Sequence, residues 1–255
     1  SVGTRHVRHR SAGGRRPAAA GTAGRAAALK PTPGRATLAP MLDSLAVPPR
    51  DPGSNWTMVV LHGLGDSLAG WRWLPEALDL PWLDYRLVNA PDHYFGGYSW
   101  YDFAGNPAPG VARSRRLLQE FLAALEAAGV PAERTFLLGF SQGCLMTLDV
   151  ALRHPRRLAG AVGISGYVHE PEALLRELGP AAREQRLLVT HGTLDPLIPI
   201  APLRAQMELL RRAGLRLEWR EFRKEHTIAG EEELAVIRDF VAAGRAPSGQ
   251  PRAAR

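Results

Sequence analysis

Short apolar runs alternate along the chain with longer segments in which apolar residues recur at helical spacing. Four of the six short runs are apolar almost throughout, as is typical of parallel strands that helices cover on both faces. The predicted strands are 56–63, 85–91, 135–140, 158–165, 186–192 and 215–222. The predicted helices are 112–129, 142–154, 171–179, 201–214 and 230–244. This alternation predicts a single α/β domain with a mostly parallel central sheet and helices on both faces.

The segment 92–110, DHYFGGYSWYDFAGNPAPG, follows neither pattern. It is rich in aromatic residues, glycine and proline, so we predict a loop. Loops of this length in a compact domain are commonly functional. Trp100 and Tyr101 are its candidates for lining a ligand pocket, and the alternative is that they anchor the loop to the core.

Charge is distributed unevenly along the chain. Residues 1–40 contain eight Lys or Arg and no acidic residue; subtracting these from the totals of 32 basic and 25 acidic residues leaves 24 and 25 in residues 41–255. The near-neutral body lacks the basic patch of a nucleic-acid-binding domain, so we expect no nucleic-acid partner. No apolar stretch reaches the roughly 20 residues that a transmembrane helix needs, so we expect no membrane span.

Three side chains with complementary acid–base chemistry follow predicted strands. Ser141 follows the third strand, within Gly-Phe-Ser-Gln-Gly, and Asp195 and His226 follow the fifth and sixth strands. Ligands of open parallel sheets bind beyond the carboxyl ends of the strands, so these side chains are expected to lie at one edge. The chain order serine, aspartate, histidine is that of the nucleophile-elbow hydrolases.

Each residue type has a chemical reason. A serine hydroxyl becomes a nucleophile when a histidine removes its proton, and a buried carboxylate fixes the tautomer of that histidine. Flanking glycines permit the strained turn that exposes the hydroxyl, although small residues also serve strand–helix packing. Asp195 has the alternative role of capping the turn at Pro196. The rivals of the chosen residues are His62, His93 and His191 as the base and Asp149 as the carboxylate.

Two backbone N–H groups are predicted to form an oxyanion hole. Gln142 opens the helix after the serine, and Leu64 follows His62 and Gly63 at the end of the first long strand. Amides at these positions can face the oxygen that becomes charged when an acyl carbon is attacked. A phosphate loop at this position is excluded because no Gly-Lys-Ser/Thr follows.

Five motifs resemble the phospholipase/carboxylesterase family, which includes the acyl-protein thioesterases, within the α/β-hydrolase superfamily. They are LHGLGDS with Gly70-Trp71, NAPDHYFGGYSWYDF, GFSQGC, HGTLDPLIP and EHTI, spread over residues 56–240. The resemblance implies an α/β-hydrolase fold, cleavage of carboxylic esters or thioesters, and no cofactor or metal. It implies that Ser141 is the nucleophile, His226 the base and Asp195 its orienting carboxylate.

Two positions depart from this family pattern. Cys144 stands where the family usually has glycine or another small residue, and Glu225 stands where it usually has glycine before the catalytic histidine. A buried packing role is expected for Cys144. For Glu225 the departure raises the question of the backbone conformation beside His226.

The prediction is a serine esterase that acts on short or medium acyl chains through an acyl-enzyme. Leu197 and Ile198, beside Asp195, are further candidates for the pocket wall. The alternatives are a peptidase or amidase with the same triad, and a non-catalytic binding protein on a hydrolase fold. We expect a small-molecule ester or thioester as substrate, and the sequence does not indicate whether the chain forms a homodimer.

The composition divides the chain into three predicted parts. Residues 1–50 form a basic leader rich in Ala, Gly, Arg and Pro, with too few large apolar residues to form a core, so disorder is expected. Residues 51–245 form the α/β-hydrolase catalytic domain, and residues 246–255 a disordered tail. The single cysteine, Cys144, fits a reducing compartment and a cytoplasmic location, with the alternative that the basic leader is a targeting segment.

Overall fold

A central β-sheet organises the described residues of the computed structural model, which are residues 42–245. The strands, in chain order, are β1 (Ser44–Val47), β2 (Trp56–Leu61), β3 (Leu83–Val88), β4 (Asp92–Tyr94), β5 (Gly97–Ser99), β6 (Thr135–Phe140), β7 (Gly160–Ile164), β8 (Arg186–Gly192) and β9 (Arg216–Phe222). β4 and β5 form a separate hairpin, and the others form a sheet in the order β1-β3-β2-β6-β7-β8-β9. In this described part, β1 pairs antiparallel with β3 and all other neighbours of the large sheet run parallel.

Helices cover both faces of this sheet. In chain order they are α1 (Leu74–Leu78), α2 (Pro107–Ala127), α3 (Gln142–Arg153), α4 (Pro171–Arg176), α5 (Ile200–Arg212) and α6 (Glu231–Arg245). Buried side chains of α2, α3, α4 and α5 join the core on one face, and those of α1 and α6 join the core on the other. The predicted α/β class with a mostly parallel sheet is therefore confirmed.

The apolar runs are explained by this double coverage. In β2, Val59 and Leu61 belong to the core beneath α2 and α3, whereas Met58 and Val60 belong to the core beneath α1 and α6. Each side chain of this size contributes about 1.5–3 kcal/mol when fully buried. Because successive residues of a strand point to opposite faces, a strand buried on both sides must be apolar throughout.

The predicted boundary between leader and domain at residue 50 is wrong. β1 pairs with β3, and Leu42 before it is buried, at 7% exposure. β1 is an edge strand with alternately exposed and half-buried residues, so its composition does not stand out from that of the leader. The predictions for residues 1–41 and 246–255 lie outside the described residues.

The segment 92–110 contains more regular structure than the loop that was predicted. It begins with the β4–β5 hairpin, and α2 starts at Pro107, before the predicted helix start at residue 112. The side chain of Asn106 accepts a hydrogen bond from the N–H of Ala108 at 3.1 Å and caps the helix. Proline is favoured in the first turn of a helix because its missing N–H needs no acceptor there.

Candidate active site

Three side chains from the ends of β6, β8 and β9 meet at one edge of the sheet. Nε2 of His226 lies 2.9 Å from Oγ of Ser141, and Nδ1 of His226 lies 2.7 Å from Oδ2 of Asp195. The three strands run parallel, so their carboxyl ends, and the residues that follow them, share an edge. The structure thus brings together the three residues that the sequence selected.

Ser141 occupies a strained turn between β6 and α3. Its φ of 53° and ψ of −114° lie outside the regions that residues with a side chain usually adopt. A Cβ atom added to Gly139 would collide with the carbonyl oxygen of Gly143, and one added to Gly143 would collide with that of Leu61. The glycines are therefore needed because strand and helix pack closely, and this close packing holds the turn that exposes the hydroxyl.

Asp195 is held as an ionised acceptor. Its Oδ1 accepts hydrogen bonds from the N–H groups of Leu197 (2.9 Å) and Ile198 (3.0 Å), while Oδ2 faces His226. Burial alone would raise the pKa of Asp195, but the backbone donors and His226 outweigh it and lower the pKa. The residue caps its turn and also orients the histidine, so the two alternatives considered for it coexist.

The protonation pattern of His226 follows from these contacts. The carboxylate of Asp195 can only accept, so Nδ1 of His226 carries the proton of that hydrogen bond. In the neutral imidazole Nε2 is then unprotonated and accepts a hydrogen bond from the hydroxyl of Ser141. This is the tautomer that a general base requires.

The rival residues have other contacts. In His62, Nδ1 lies 2.6 Å from the carbonyl oxygen of Gly63, and Nε2 accepts the N–H of Ala90 at 3.0 Å. Burial lowers the pKa of His62. These two hydrogen bonds give the residue a structural role in the loop after β2. His93 is exposed on β4. Nε2 of His191 lies 2.9 Å from the carbonyl oxygen of Ile198 and 3.6 Å from Oδ2 of Asp195, but its side chain is fully buried and does not line the cavity at Ser141.

Asp149, the rival carboxylate, is paired elsewhere. It forms ion pairs with Arg115, at 3.3 Å, and with Arg153. Burial raises the pKa of Asp149, and the two arginines oppose this effect. Its role is therefore to join α2 and α3.

The two proposed oxyanion donors lie beside the serine. Leu64 and Gln142 both line the cavity at Ser141. Gln142 is the first residue of α3, where backbone N–H groups have no acceptor within the helix. Within residues 42–245, the N–H of Leu64 donates to no protein acceptor. Both groups are thus available to a ligand.

The side chain of Gln142 has a role that the sequence did not suggest. Its Oε1 accepts the N–H of Trp100 at 2.9 Å, and its Nε2 donates to the carbonyl oxygen of Tyr101 at 3.0 Å. The glutamine is buried. It therefore fastens residues 92–110, the aromatic segment, to the start of α3, next to the serine.

A cavity of about 300 Å³ opens beside Ser141 and His226. Tyr101, Leu197 and Ile198 line it, as the sequence predicted. Residues that the sequence did not select also line it: Gly63, Asp66, Phe103, Phe140 and Tyr167. Tyr167 follows β7 and could have been found by the same strand-end rule that selected the triad. Phe140 is the last residue of β6 and directly precedes the serine.

The prediction that Trp100 lines the pocket is wrong. Its side chain is fully buried, and its Nε1 donates to the carbonyl oxygen of His62 at 2.9 Å. A buried indole N–H usually has a hydrogen-bond acceptor. Here the acceptor is the residue that precedes Gly63 and Leu64 in the loop after β2. Trp100 therefore anchors the aromatic segment, whereas its neighbour Tyr101 faces the cavity.

The two departures from the family pattern are accommodated. Cys144 is fully buried, and burial raises the pKa of its thiol to about 12. Its sulfur packs against Gly163 and Gly166, where an added Cβ would lie 2.6 and 2.7 Å from it. Glu225 is not among the non-glycine residues at positive φ in residues 42–245. The backbone before His226 therefore does not require glycine.

Within residues 42–245, no group of three or more His, Cys, Asp or Glu side chains is arranged to hold a metal ion. None of the helices in that part of the chain is both long enough and apolar enough to cross a membrane.

Comparison with known proteins gives consistent similarities. The chain is similar to acyl-protein thioesterase 1 of Schizosaccharomyces pombe, with 30% identity over 201 residues, which cover 71% of this chain and 88% of the relative. It is similar to the corresponding protein of Yarrowia lipolytica, with 34% identity over 56% of this chain and 70% of the relative. The crystal structure of esterase PE8 superposes with a TM-score of 0.70 and 27% identity, covering 80% of this chain and 99% of that one.

The family assignment rests on most of the folded residues. A model of the phospholipase/carboxylesterase family matches residues 43–244, nearly the whole of the described part. The chain therefore belongs to the phospholipase/carboxylesterase family and has the α/β-hydrolase fold.

Proposed function

We propose that this serine hydrolase cleaves carboxylic esters or thioesters of short or medium acyl chains through an acyl-enzyme. The observation that carries the proposal is the continuous hydrogen-bonded path from Asp195 through His226 to Ser141, which ends at the wall of an apolar cavity. The proposed catalytic residues are these three, with the N–H groups of Leu64 and Gln142 as oxyanion donors.

In the acylation half, Oγ of Ser141 attacks the carbonyl carbon of the substrate and Nε2 of His226 takes the hydroxyl proton. The carbonyl oxygen becomes negatively charged and accepts hydrogen bonds from the amides of Leu64 and Gln142. Asp195 stabilises the imidazolium that forms. When the C–O or C–S bond breaks, His226 returns the proton to the departing alcohol or thiol, and the acyl group remains on Ser141.

In the deacylation half, water takes the place of the alcohol. His226 removes a proton from the water, the resulting hydroxide attacks the acyl carbon, and the same two amides receive the oxyanion. The Ser141 oxygen leaves with the proton from His226, which regenerates the free hydroxyl and releases a carboxylic acid.

The wall of the cavity supports an uncharged, compact acyl group. The wall is mainly apolar. Its lining residues include one carboxylate, that of Asp66, and the imidazole of His226, but neither lysine nor arginine. Its volume of about 300 Å³ lies at the lower end of the roughly 300–1,000 Å³ that ligand sites occupy. We therefore propose short or medium chains, and Tyr101, Leu197 and Ile198 as residues that contact them.

The relatives support an ester or a thioester as the bond that is cleaved. Those named above are acyl-protein thioesterases and an esterase. These names support an acyl ester or thioester bond as the one cleaved, and no protein substrate is proposed.

The test is a chain-length series of nitrophenyl esters beside matching acyl thioesters, combined with labelling by a fluorophosphonate probe. We expect labelling of the wild type, no labelling of Ser141→Ala, and a rate that drops once the acyl chain exceeds the cavity. A folded wild type that is neither labelled nor active would instead favour a non-catalytic binding protein. Turnover of amides at rates near those of esters would favour a peptidase or amidase.

We also propose a cytoplasmic location. The supporting observation is the free, fully buried thiol of Cys144, since unpaired cysteines are typical of reducing compartments. Fractionation of cells that express the whole chain would test this.

A further inference from the structure

The loop that joins β9 to α6 carries His226 and has little regular structure. Its short-range backbone hydrogen bonds run from Lys224 to Phe222, at 2.9 Å, and from Thr227 to Glu225, at 2.8 Å. The first bond closes a small turn before the histidine, and the second closes a turn that has the histidine at its centre. They do not connect the loop to the rest of the site, so its position depends on contacts from other elements.

One carboxylate supplies these contacts at both ends of the loop. Glu233, in the first turn of α6, accepts hydrogen bonds from Nζ of Lys224 at 2.6 and 2.8 Å. Its Oε2 also accepts the backbone N–H of Ala229 at 2.7 Å. Lys224 precedes His226 by two residues and Ala229 follows it by three. The carboxylate therefore fastens the loop on both sides of the histidine.

This ion pair is unusual because both partners are out of solvent. Glu233 is 0% exposed and Lys224 is 5% exposed. Removing two charges from water is costly, and apolar side chains of similar size commonly give equal or greater stability. An apolar pair, however, could not accept the N–H of Ala229 and would leave the loop free to shift. The retained charges therefore favour a role in geometry.

Lys224 also connects the loop that carries His226 to the loop after β8, which carries Asp195. The backbone oxygen of Lys224 accepts the N–H of Leu194, next to Asp195, at 3.1 Å. The titratable groups that interact with the ammonium are Glu233, Asp195, Cys144 and His191. Burial lowers the pKa of Lys224, and Glu233 opposes this effect most strongly.

We propose that Glu233 and Lys224 are positioning residues that hold Nε2 of His226 within reach of the Ser141 hydroxyl. Neither contacts the reacting atoms; each acts through the loop that carries the histidine. This inference rests on the proposed function of the Ser141 site. Displacement of a catalytic group by about 1 Å can lower the rate about a hundredfold, so we expect a loosened loop to lower kcat with little change in KM.

The experiment compares kcat and KM for a nitrophenyl ester in four variants. Glu233→Gln weakens the hold on the loop while keeping its volume, and the pair Lys224→Met with Glu233→Met removes the hold while keeping the space filled. We expect roughly ten- to hundredfold lower kcat in both, with KM within about twofold. Lys224→Arg keeps the cation and should retain most of the activity. Glu231→Gln is the matched control on α6, because Glu231 pairs with Arg238 at the surface and should leave kcat unchanged.

Wild-type kcat in a folded Glu233→Gln or in the folded double variant would overturn the proposal. The proposal would also be overturned if cooling restored both the folded fraction and kcat of the variants to wild-type values, because that pattern reports stability alone. Should the double variant fail to fold, the comparison of Glu233→Gln with Glu231→Gln decides.

A measurement that needs no turnover separates this inference from the proposed function. The proton on Nδ1 of His226, bonded to Asp195, gives a far-downfield NMR resonance when that hydrogen bond is held. We expect the resonance to persist in Glu231→Gln and to broaden or disappear in Glu233→Gln. If the wild type shows this pattern without hydrolysing any ester, the positioning role stands and the proposed function fails; an unchanged resonance in Glu233→Gln overturns the positioning role.

Discussion

The serine and the histidine of this site are held by different kinds of contact. Ser141 lies between β6 and α3, where backbone oxygens leave no room for a side chain on either flanking glycine. His226 lies in a loop that hydrogen bonds fasten to the buried carboxylate of Glu233. The first region is fixed by steric exclusion and the second by a polar contact that side-chain changes can loosen.

This difference has consequences for tolerance. A turn that is fixed by backbone packing accepts no added atom, because neither strand nor helix can move without disturbing the core. A loop that is fixed at its ends accepts changes between those ends, provided that the contacts themselves remain. The two regions should therefore respond very differently to substitution, although both deliver one side chain to the same hydrogen bond.

The largest expected effect removes that shared hydrogen bond. Ser141→Ala and His226→Ala should each lower kcat on the order of 10⁵-fold or more, and the double variant should lose little beyond either one, because the residues act as a unit. Steady-state rates with a nitrophenyl ester measure this. Losses that multiply in the double variant would mean that serine and histidine contribute separately, which would contradict the proposed mechanism.

The second effect concerns the steric region. In Gly143→Ala the new Cβ would collide with the carbonyl oxygen of Leu61, so we expect a loss of about 3 kcal/mol or more in the free energy of unfolding. Gly96→Ala is the matched control, since a Cβ there meets no atom within 4 Å. Urea unfolding of both variants gives the comparison. Equal stability of the two would show that the helix can shift and that the turn is not sterically fixed.

The third effect depends on pH and reports the aspartate between the two regions. The pKa of Asp195 is lowered in the folded state, with burial opposed by backbone donors and His226. A carboxyl group with a lowered pKa stabilises the fold above its unfolded pKa of about 3.9, and this contribution is lost as the pH falls through the folded value. Asp195→Asn should therefore be less stable at pH 7 by about 1–2 kcal/mol.

The same measurement at low pH provides the control. Below about pH 4 the carboxyl group takes up a proton in the unfolded chain before it does so in the folded protein, so the difference in unfolding free energy between wild type and Asp195→Asn should shrink. A difference that stays constant from pH 7 to pH 3 would mean that the charge of Asp195 does not contribute to folding.

The two regions also differ in how far the sequence predicted them. The serine turn was predictable because glycine, serine and glycine lie within five residues between a strand and a helix. The triad partners were predictable because parallel strands place their carboxyl ends at one edge. The contact between Glu233 and the histidine loop was not, since an acidic residue in the first turn of a helix is common for reasons of helix polarity alone.

The aromatic segment shows most clearly what could not be predicted from the sequence. Trp100 and Tyr101 are adjacent aromatic residues, yet Trp100 is buried with its indole N–H bonded to the carbonyl oxygen of His62, whereas Tyr101 lines the cavity. Only the path of the backbone through the β4–β5 hairpin decides which ring faces which way. β1 was missed for a related reason, because an edge strand is held by backbone pairing with β3 and its side chains carry little signal.

The smallest expected effect tests tolerance within the histidine loop. The family usually has glycine where Glu225 stands, but Glu225 is not at positive φ here, so Glu225→Gly relieves no strain. It should lower the free energy of unfolding by only about 0.5–1 kcal/mol, through the greater freedom of the unfolded chain, and leave kcat within about twofold. Glu225→Ala separates loss of the side chain from gain of backbone freedom and should lie within about 0.5 kcal/mol of wild type. A marked gain in stability or kcat for Glu225→Gly alone would reveal strain beside His226, and the loop would then resemble the serine turn after all.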